Sequence, residues 1–144
     1  MKKLIIFDLD ETLAPSKSPV DKEMGALLAA LIRSGKKVAI ISGGFFKQFE
    51  KQVLPVLAGA GGALRNLFIF PTCGAAFFRF NGKDWKEVYA EKLTEEEKKK
   101  ISGAFQLAFN VLNYKHPDKI YGEVIEDRAT QITFSAFGQQ APIE

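Results

Sequence analysis

The sequence predicts an α/β fold in which a parallel sheet is followed by a smaller, partly antiparallel part. Three unbroken apolar runs, at residues 4–7, 38–41 and 67–70, have the length and composition of strands that are covered on both faces of a parallel sheet. Segments with helical spacing separate these runs. The resulting order of strand, helix, strand, helix and strand is typical of right-handed βαβ units.

Two helices are predicted between the strands. The first spans about residues 21–34, where Asp21 is the N-cap and Gly35 is the stop signal. The second spans about residues 46–57 and ends before a glycine-rich stretch. The first helix has one apolar stripe at helical spacing, which consists of Met24, Leu27, Leu28, Leu31 and Ile32.

A β-hairpin is predicted after the third strand. Its two strands, at residues 75–80 and 85–90, flank the pair Asn81-Gly82. Both of these residues tolerate positive φ, which tight hairpin turns require. The pattern therefore changes from parallel to antiparallel after Pro71.

The chain is predicted to divide near Glu91, into residues 1–91 and residues 92–144. In the second part, Thr94 and Glu97 form a capping box that opens a helix running to about residue 113. An alternating segment suggests a further antiparallel pair that is solvated on one side. Its strands are residues 123–126 and 132–136. The predicted apolar face of the helix consists of Ile101, Ala104, Phe105, Ala108 and Leu112.

Composition excludes several classes of site. Among 144 residues, Cys73 is the only cysteine and His116 the only histidine, so an intrachain disulfide and a Cys/His zinc site are both impossible. We expect Cys73 to be a small packed hydrophobe and His116 to be a solvated turn residue. The net charge is +3, and the basic residues are scattered. We therefore expect no nucleic-acid partner.

The charged segment at residues 95–100 has three acidic residues followed by three lysines. On a helix these residues form the i,i+4 pairs Glu95/Lys99 and Glu96/Lys100, which favours a solvated helix surface over a binding patch. No segment approaches the ~20 apolar residues that a membrane span needs. We expect a cytoplasmic protein with no membrane partner, and the sequence does not predict its oligomeric state.

Two carboxylates follow the first predicted strand. Asp8 and Asp10 stand where the strand ends, and ligands of open parallel sheets bind beyond the carboxyl ends of the strands. Strand alternation puts both side chains on one side and Leu9 on the other. Two acids this close repel unless a cation accompanies them, and Mg²⁺ prefers such oxygen ligands. The alternative is that both residues only end the strand and cap the turn that follows it, with no role in binding.

A second polar cluster follows the next strand. Ser42 is followed by Gly43 and Gly44, and then by a helix. A hydroxyl, glycine-flanked backbone N–H groups and a helix N-terminus together favour an anion site, although a glycine-rich turn with a capping serine would give the same pattern. Because both clusters lie at the carboxyl ends of neighbouring strands, one shared site is the better interpretation.

The segments at residues 7–13 (FDLDETL) and 40–43 (IISG) resemble the first two motifs of the haloacid dehalogenase superfamily of phosphatases and phosphomutases. Residues 43–52 and 81–83 further resemble its branch with a large α/β cap, subfamily IIB, and within it the phosphomannomutases and related phosphatases. The resemblance implies a Rossmann-like core, of which three parallel strands are present. It also implies a partial α+β cap with an antiparallel hairpin at residues 92–144.

The resemblance also implies the chemistry of the site. Asp8 would be the nucleophile that forms an aspartyl-phosphate, and Asp10 would protonate the leaving oxygen and then activate water. The Asp8 side chain and the Asp10 backbone oxygen would bind Mg²⁺, while Ser42 and Gly43 bind the phosphoryl group. A small phosphorylated metabolite, such as a sugar phosphate, is the substrate that this implies.

The chain departs from this family in three respects. The first two are a lysine and an acidic metal-binding loop, which in the family follow the cap. We expect the chain to be a part of a longer protein that stops within the cap and is inactive or weakly active alone. Of the arginines that phosphomannomutases use here, only Arg128 has a counterpart, since Tyr121 and Gln139 occupy the other positions. We therefore favour a phosphatase. A hexose-phosphate mutase and a non-catalytic binding module remain the alternatives.

Overall fold

The computed structural model describes residues 3–142, which form two compact units, Met1–Ala90 and Glu91–Glu144. The first unit contains a five-stranded sheet and three α-helices, and the second contains one α-helix and a two-stranded sheet. The strands are β1 (Leu4–Asp8), β2 (Lys37–Ile41), β3 (Leu67–Phe70), β4 (Ala76–Phe80), β5 (Trp85–Ala90), β6 (Ile125–Asp127) and β7 (Ile132–Phe134). The helices are α1 (Lys22–Arg33), α2 (Phe46–Gln52), α3 (Leu54–Leu57) and α4 (Glu95–Val111).

The large sheet has the strand order β1-β2-β3-β4-β5. β1, β2 and β3 are parallel, which confirms the predicted α/β core. The hairpin of β4 and β5 continues the same sheet in antiparallel orientation, so the edge of β3 is covered. Within the described residues, β1 pairs only with β2, so β1 and β5 are the two edge strands of this sheet.

The two faces of the sheet differ in how far they are buried. One face packs against the helices of the first unit, where Val38, Ile40 and Ile69 are fully buried. On the opposite face, Leu4 is 48% exposed and Ile6 is 58% exposed. The expectation that β1 is covered on both faces is therefore wrong for this chain. The run of apolar residues specified a strand, but the sequence carries no local signal for what covers it.

α1 has nearly the predicted bounds, but Leu27 of the predicted apolar stripe is 57% exposed, because it lies at the margin of the buried face. The Asp21 carboxylate accepts a hydrogen bond from the Met24 backbone N–H, which caps the helix. Gly35 follows the C-terminus with φ +80, a conformation that glycine adopts at little cost. A Cβ on Gly25 would stand 2.7 Å from the Val56 Cβ, so α1 and α3 pack closely at this glycine.

The second predicted helix is broken into two pieces. α2 ends at Gln52 and α3 begins at Leu54. Pro55 lies in the first turn of α3 and has no N–H to bond to the Lys51 carbonyl, so a continuous helix over residues 46–57 would lose a hydrogen bond there. The prediction of one helix failed because it ignored this proline.

The hairpin turn is longer than a two-residue turn. The Asn81 N–H donates to the Asp84 carbonyl, and the Asn81 side chain accepts from the backbone N–H groups of Lys83 and Asp84. Among the four described turn residues, 81–84, only Gly82 has a positive φ, at +110. Asn81 therefore acts through its side chain and not through a left-handed backbone.

In the second unit, α4 begins with the predicted capping box between Thr94 and Glu97. Glu96 and Lys100 form the predicted ion pair at 2.8 Å, while Glu95 pairs with Lys98 at 3.1 Å instead of with Lys99. The two short strands β6 and β7 pair antiparallel as predicted.

The apolar face of α4 is only partly as predicted. Ile101 and Phe105 are half-buried, but Ala104 and Ala108 are exposed and Leu112 is 75% exposed. Phe109 lies on the packed side, where its ring contacts the Phe134 ring at 5.2 Å between centroids. Within residues 3–142, no helix combines the length and the hydrophobicity that a membrane crossing requires.

Candidate active site

The carboxyl ends of β1 and β2 meet at an open cleft of about 310 Å³. In the parallel register Asp8 stands opposite Ile41, so Ser42 follows directly beyond the end of β2. The same geometry brings the two predicted polar clusters together at the carboxyl ends of these strands. The cleft is lined by Ile6, Phe7, Asp8, Ile41, Ser42, Gly43 and Cys73.

Asp8 is the exposed carboxylate of the cleft. Its Oδ1 accepts a hydrogen bond of 2.8 Å from the Leu9 backbone N–H, which fixes the side chain. Leu9 itself is fully buried and anchors the end of the strand in the core. No described residue donates a hydrogen bond to the other carboxylate oxygen, Oδ2, and this oxygen is available for a metal ion or a phosphorus atom.

Asp10 links the loop after β1 to the end of β2. Its Oδ1 accepts from the Lys17 backbone N–H at 3.0 Å, and its Oδ2 accepts from the Ser42 hydroxyl at 3.3 Å. Next to it, Glu11 has φ +56 and accepts from the Ser16 N–H. The two acidic side chains therefore fold the loop back over itself and hold Asp10 beside Ser42.

Ser42 is only 3% exposed, so its hydroxyl faces protein rather than the open cleft. The hydroxyl donates to Asp10 and accepts from the Gly44 N–H at 3.2 Å. The Ser42 carbonyl accepts from the Cys73 N–H at 3.0 Å, which joins the end of β2 to the turn after β3. In this conformation the Ser42 hydroxyl positions Asp10, and Ser42 and Gly43 both contribute to the lining of the cleft.

Cys73 is a residue of the cleft that the sequence prediction placed wrongly. It is exposed rather than packed, and its Sγ lies 3.7 Å from where a Cβ on Gly43 would stand. Thr72, Cys73 and Gly74 have φ of +50, +56 and +89, three consecutive residues in the left-handed region. This turn directs the thiol to the cleft. The only sequence signal was a Cys-Gly pair just beyond the carboxyl end of a parallel strand.

The donors at the cleft suit Mg²⁺ in type, because carboxylate and carbonyl oxygens are the ligands that this ion prefers. Asp8 provides an available carboxylate oxygen, and the Asp10 backbone carbonyl is the second predicted ligand. Within residues 3–142 no group of three His, Cys, Asp or Glu residues is arranged to hold a metal ion. Water or further protein groups would therefore have to complete an octahedron. No Lys or Arg lines the cleft.

Arg128 is placed in the second unit, inside a local ion pair. Its Nε donates to Glu126 at 2.6 Å, and its Nη2 donates to the Gln139 side chain at 3.2 Å. The Arg128 side chain is 14% exposed. Binding of a phosphate by this guanidinium would compete with the Glu126 carboxylate.

Comparison with known proteins identifies the fold. No family model and no curated protein matches the sequence. Among solved structures, a haloacid dehalogenase-like hydrolase from B. subtilis is 24% identical with a TM-score of 0.55, over 78% of this chain and 34% of that one. The Plasmodium falciparum IMP-nucleotidase is 14% identical with a TM-score of 0.66, over 91% of this chain and 34% of that one.

A haloacid dehalogenase-like hydrolase from Bacteroides thetaiotaomicron is 20% identical with a TM-score of 0.54, over 78% of this chain and 39% of that one. The chain thus spans between a third and two fifths of the length of these structures. The chain has the α/β fold of the haloacid dehalogenase-like hydrolases.

Proposed function

We propose that this chain carries the nucleophile half of a Mg²⁺-dependent phosphomonoester hydrolase that works through an aspartyl-phosphate. The observation that carries this proposal is the hydrogen bond between Ser42 and Asp10, beside an exposed Asp8, at the adjoining ends of two parallel strands. The ends of parallel strands converge in any case, but the hydrogen bond from the Ser42 hydroxyl to Asp10 joins the two polar clusters, which carboxylates that only end a strand would not require. The fold of the haloacid dehalogenase-like hydrolases supports the same chemistry.

In the first step, the available Oδ2 of Asp8 attacks phosphorus and the ester oxygen departs with a proton from Asp10. In the second step, Asp10 takes a proton from water, whose oxygen attacks the aspartyl-phosphate and releases inorganic phosphate and the Asp8 carboxylate. Splitting one displacement into two lowers the barrier of each. Asp10 suits both steps because its carboxylate is held in place by Lys17 and Ser42.

Mg²⁺, when bound by the Asp8 carboxylate and the Asp10 carbonyl, would neutralise charge on the nucleophile and on the phosphate. The residues of this chain supply the nucleophile, the proton carrier and the backbone groups near Gly43. No cationic side chain lines the described cleft, and the loss of one charge-stabilising group typically costs about 10²–10³-fold in rate. We therefore infer that the chain alone turns over slowly.

We infer that the substrate is a small phosphorylated metabolite. A structural neighbour is an IMP-nucleotidase with bound IMP, and a sugar phosphate is the other class that the sequence favours. A hexose-phosphate mutase must hold a phosphate at each end of its substrate in turn. The ion pair of Arg128 with Glu126 disfavours this second function, since it occupies the one arginine placed for such a clamp.

The test is hydrolysis of p-nitrophenyl phosphate by the chain with and without Mg²⁺, together with binding of fluoroberyllate, which mimics a phosphoryl group on aspartate. We expect slow, Mg²⁺-dependent turnover and saturable fluoroberyllate binding, both reduced to background by Asp8→Asn. Asp84→Asn, in the exposed hairpin turn, is the matched control and should change neither. Turnover that survives in Asp8→Asn, or an absence of both signals in the unaltered chain, would overturn the proposal.

A further inference from the structure

The second unit contains a pocket of about 520 Å³ that the proposed reaction does not use. This volume falls within the range of about 300–1,000 Å³ that is usual for small-molecule sites. All of its described lining residues belong to the second unit. The lining residues are Pro117, Lys119, Tyr121, Phe137, Ala141 and Pro142.

A backbone clasp holds the two aromatic residues of this pocket side by side. The Tyr121 N–H donates to the Phe137 carbonyl at 2.8 Å, and the Gln140 N–H donates to the Tyr121 carbonyl at 2.9 Å. Gly138 is buried with φ +87, and a Cβ on it would overlap the Tyr121 backbone. The close approach therefore requires glycine, and it fixes the backbone that carries both rings.

The two rings leave apolar surface open to the pocket. Phe137 is 58% exposed, although its backbone takes part in the clasp. Tyr121 is half-buried. Prolines at residues 117 and 142 add further apolar wall. Flat aromatic surface of this kind suits a planar ring, which gains contact over its whole face.

Lys119 provides the charge of the pocket. Its Nζ lies 4.9 Å from the centroid of the Tyr121 ring, and within residues 3–142 no carboxylate lies within ion-pair distance of it. Among the described lining residues, only Lys119 and Tyr121 have polar side chains. A sugar alone would find few partners for its hydroxyl groups here, whereas an anion would find an ammonium group that no described carboxylate pairs with.

We propose that this pocket binds a planar aromatic ring that carries an anionic group, of the class of a nucleoside monophosphate. The ring lies against Tyr121 and Phe137, and the anion pairs with Lys119. This inference goes beyond the proposed phosphoryl transfer and does not rest on it, since it concerns binding in the second unit alone.

The test uses the complete chain in metal-free buffer with a chelator, so that no ligand is hydrolysed. Adenosine 5′-monophosphate, adenosine and ribose 5-phosphate are titrated separately by calorimetry. We expect the monophosphate to bind with a Kd below about 5 mM, and ribose 5-phosphate to bind at least about tenfold more weakly, as expected when a stacked base is lost.

The variants assign the binding to this pocket. Phe137→Leu and Tyr121→Leu keep apolar volume but remove the flat faces. Each variant should bind the monophosphate about five- to tenfold more weakly. Lys119→Gln should lower the affinity for the monophosphate about threefold to fivefold, as expected when an exposed charge pair is lost. The affinity for adenosine should not change. Lys115→Gln and His116→Gln, outside the pocket, are the matched controls. Circular dichroism checks that each variant is folded.

Three outcomes would overturn the proposal. The first is an absence of saturable binding of the monophosphate below about 10 mM, a free energy too small for a specific site. The second is equal affinity for ribose 5-phosphate, which would show that the ring contributes nothing. The third is an affinity in the two leucine variants equal to that of the unaltered chain, or a loss of affinity in His116→Gln instead. Either result would place the binding site outside this pocket.

Discussion

The two compact units are stabilised in different ways. The first has a contiguous cluster of buried apolar residues, and Leu9, Ile32, Val38, Ile40 and Phe49 are each 0% exposed within it. In the second, no residue of α4 is buried, and the helix is held by half-exposed aromatic contacts and by ion pairs. The first unit therefore depends on a buried apolar core, whereas the second depends on half-exposed aromatic contacts, to which exposed ion pairs make a smaller contribution.

The same contrast recurs within the first unit, between the two faces of its sheet. The covered face carries the core, whereas the face of Leu4 and Ile6 is exposed. Asp8 projects from the exposed face, by strand alternation from Ile6. The candidate site is thus built on the side that packing leaves open, while the opposite side supplies the rigidity that holds it.

The largest effect is expected from Ile40→Ala, on the covered face. Ile40 is fully buried, and truncation leaves a cavity, so we expect a loss of about 2–5 kcal/mol in the free energy of unfolding. Ile6→Ala removes the same atoms from the 58% exposed position and should cost less than about 1 kcal/mol. Chemical denaturation measures both. Equal losses at the two positions would contradict the assignment of an open and a covered face.

An intermediate effect is expected from Phe109→Ala in the second unit. The Phe109 ring contacts the rings of Phe105, Phe134, Tyr114 and His116, with centroid distances from 4.9 to 6.2 Å. Aromatic pairs contribute about 0.5–1.5 kcal/mol each, and half-exposure reduces the burial gain, so a loss of about 1–3 kcal/mol is expected.

The readout for Phe109→Ala is the far-ultraviolet circular dichroism of the chain on heating, because α4, with 17 residues, is its longest helix. Leu107→Ala on the same helix is the control, since Leu107 is 65% exposed. If Leu107→Ala destabilised the helix as much as Phe109→Ala, the aromatic cluster would not be what holds this unit.

The smallest effect is a pH dependence in the second unit. Lys98 lies 2.9 Å from Asp127, and its hydrogen bond holds the pKa of Asp127 below the ordinary value of 3.8. A depressed carboxyl pKa contributes stability above the ordinary value, and this contribution is lost as pH falls through the lowered pKa. The pKa of Lys98 is raised above 10.5, first by Asp127 and then by Glu95, so its contribution is lost only as pH rises beyond that value.

We therefore expect Asp127→Asn to reduce stability by the same small amount throughout the neutral range. As pH falls below the ordinary value of 3.8 the two proteins should begin to converge, and they should become equal only below the lowered pKa of Asp127, where the unaltered carboxylate is protonated. Thermal unfolding across this pH range measures the difference. A gap that persists undiminished at pH 2 would show that Asp127 stabilises the unit by packing and not by charge.

Sequence patterns predicted most elements of the fold because their signals are local. Asp21 and Thr94 cap helices with their own side chains, and Gly35 ends one through its backbone. The exposure of β1 had no such signal, since it depends on what lies beside the strand in space. An apolar run such as residues 4–7 has the same sequence pattern whether or not the second face of the strand is covered.

The candidate site was predictable in part for a related reason. Parallel strands bring their carboxyl ends together whatever their side chains, so Asp8, Asp10 and Ser42 could be grouped from strand order alone. Cys73 could not, because its place in the cleft depends on a turn of three left-handed residues. The pocket of Tyr121 and Phe137 was missed similarly, because it depends on the close backbone approach at Gly138.

The exposed thiol of Cys73 has a practical consequence. Because the chain contains no second cysteine, a maleimide-linked fluorophore or nitroxide would attach at one position only, at the rim of the cleft that Asp8 lines. Its emission or its electron paramagnetic resonance line shape would then report directly on metal or phosphate entering that cleft, without any mutation to prepare the protein.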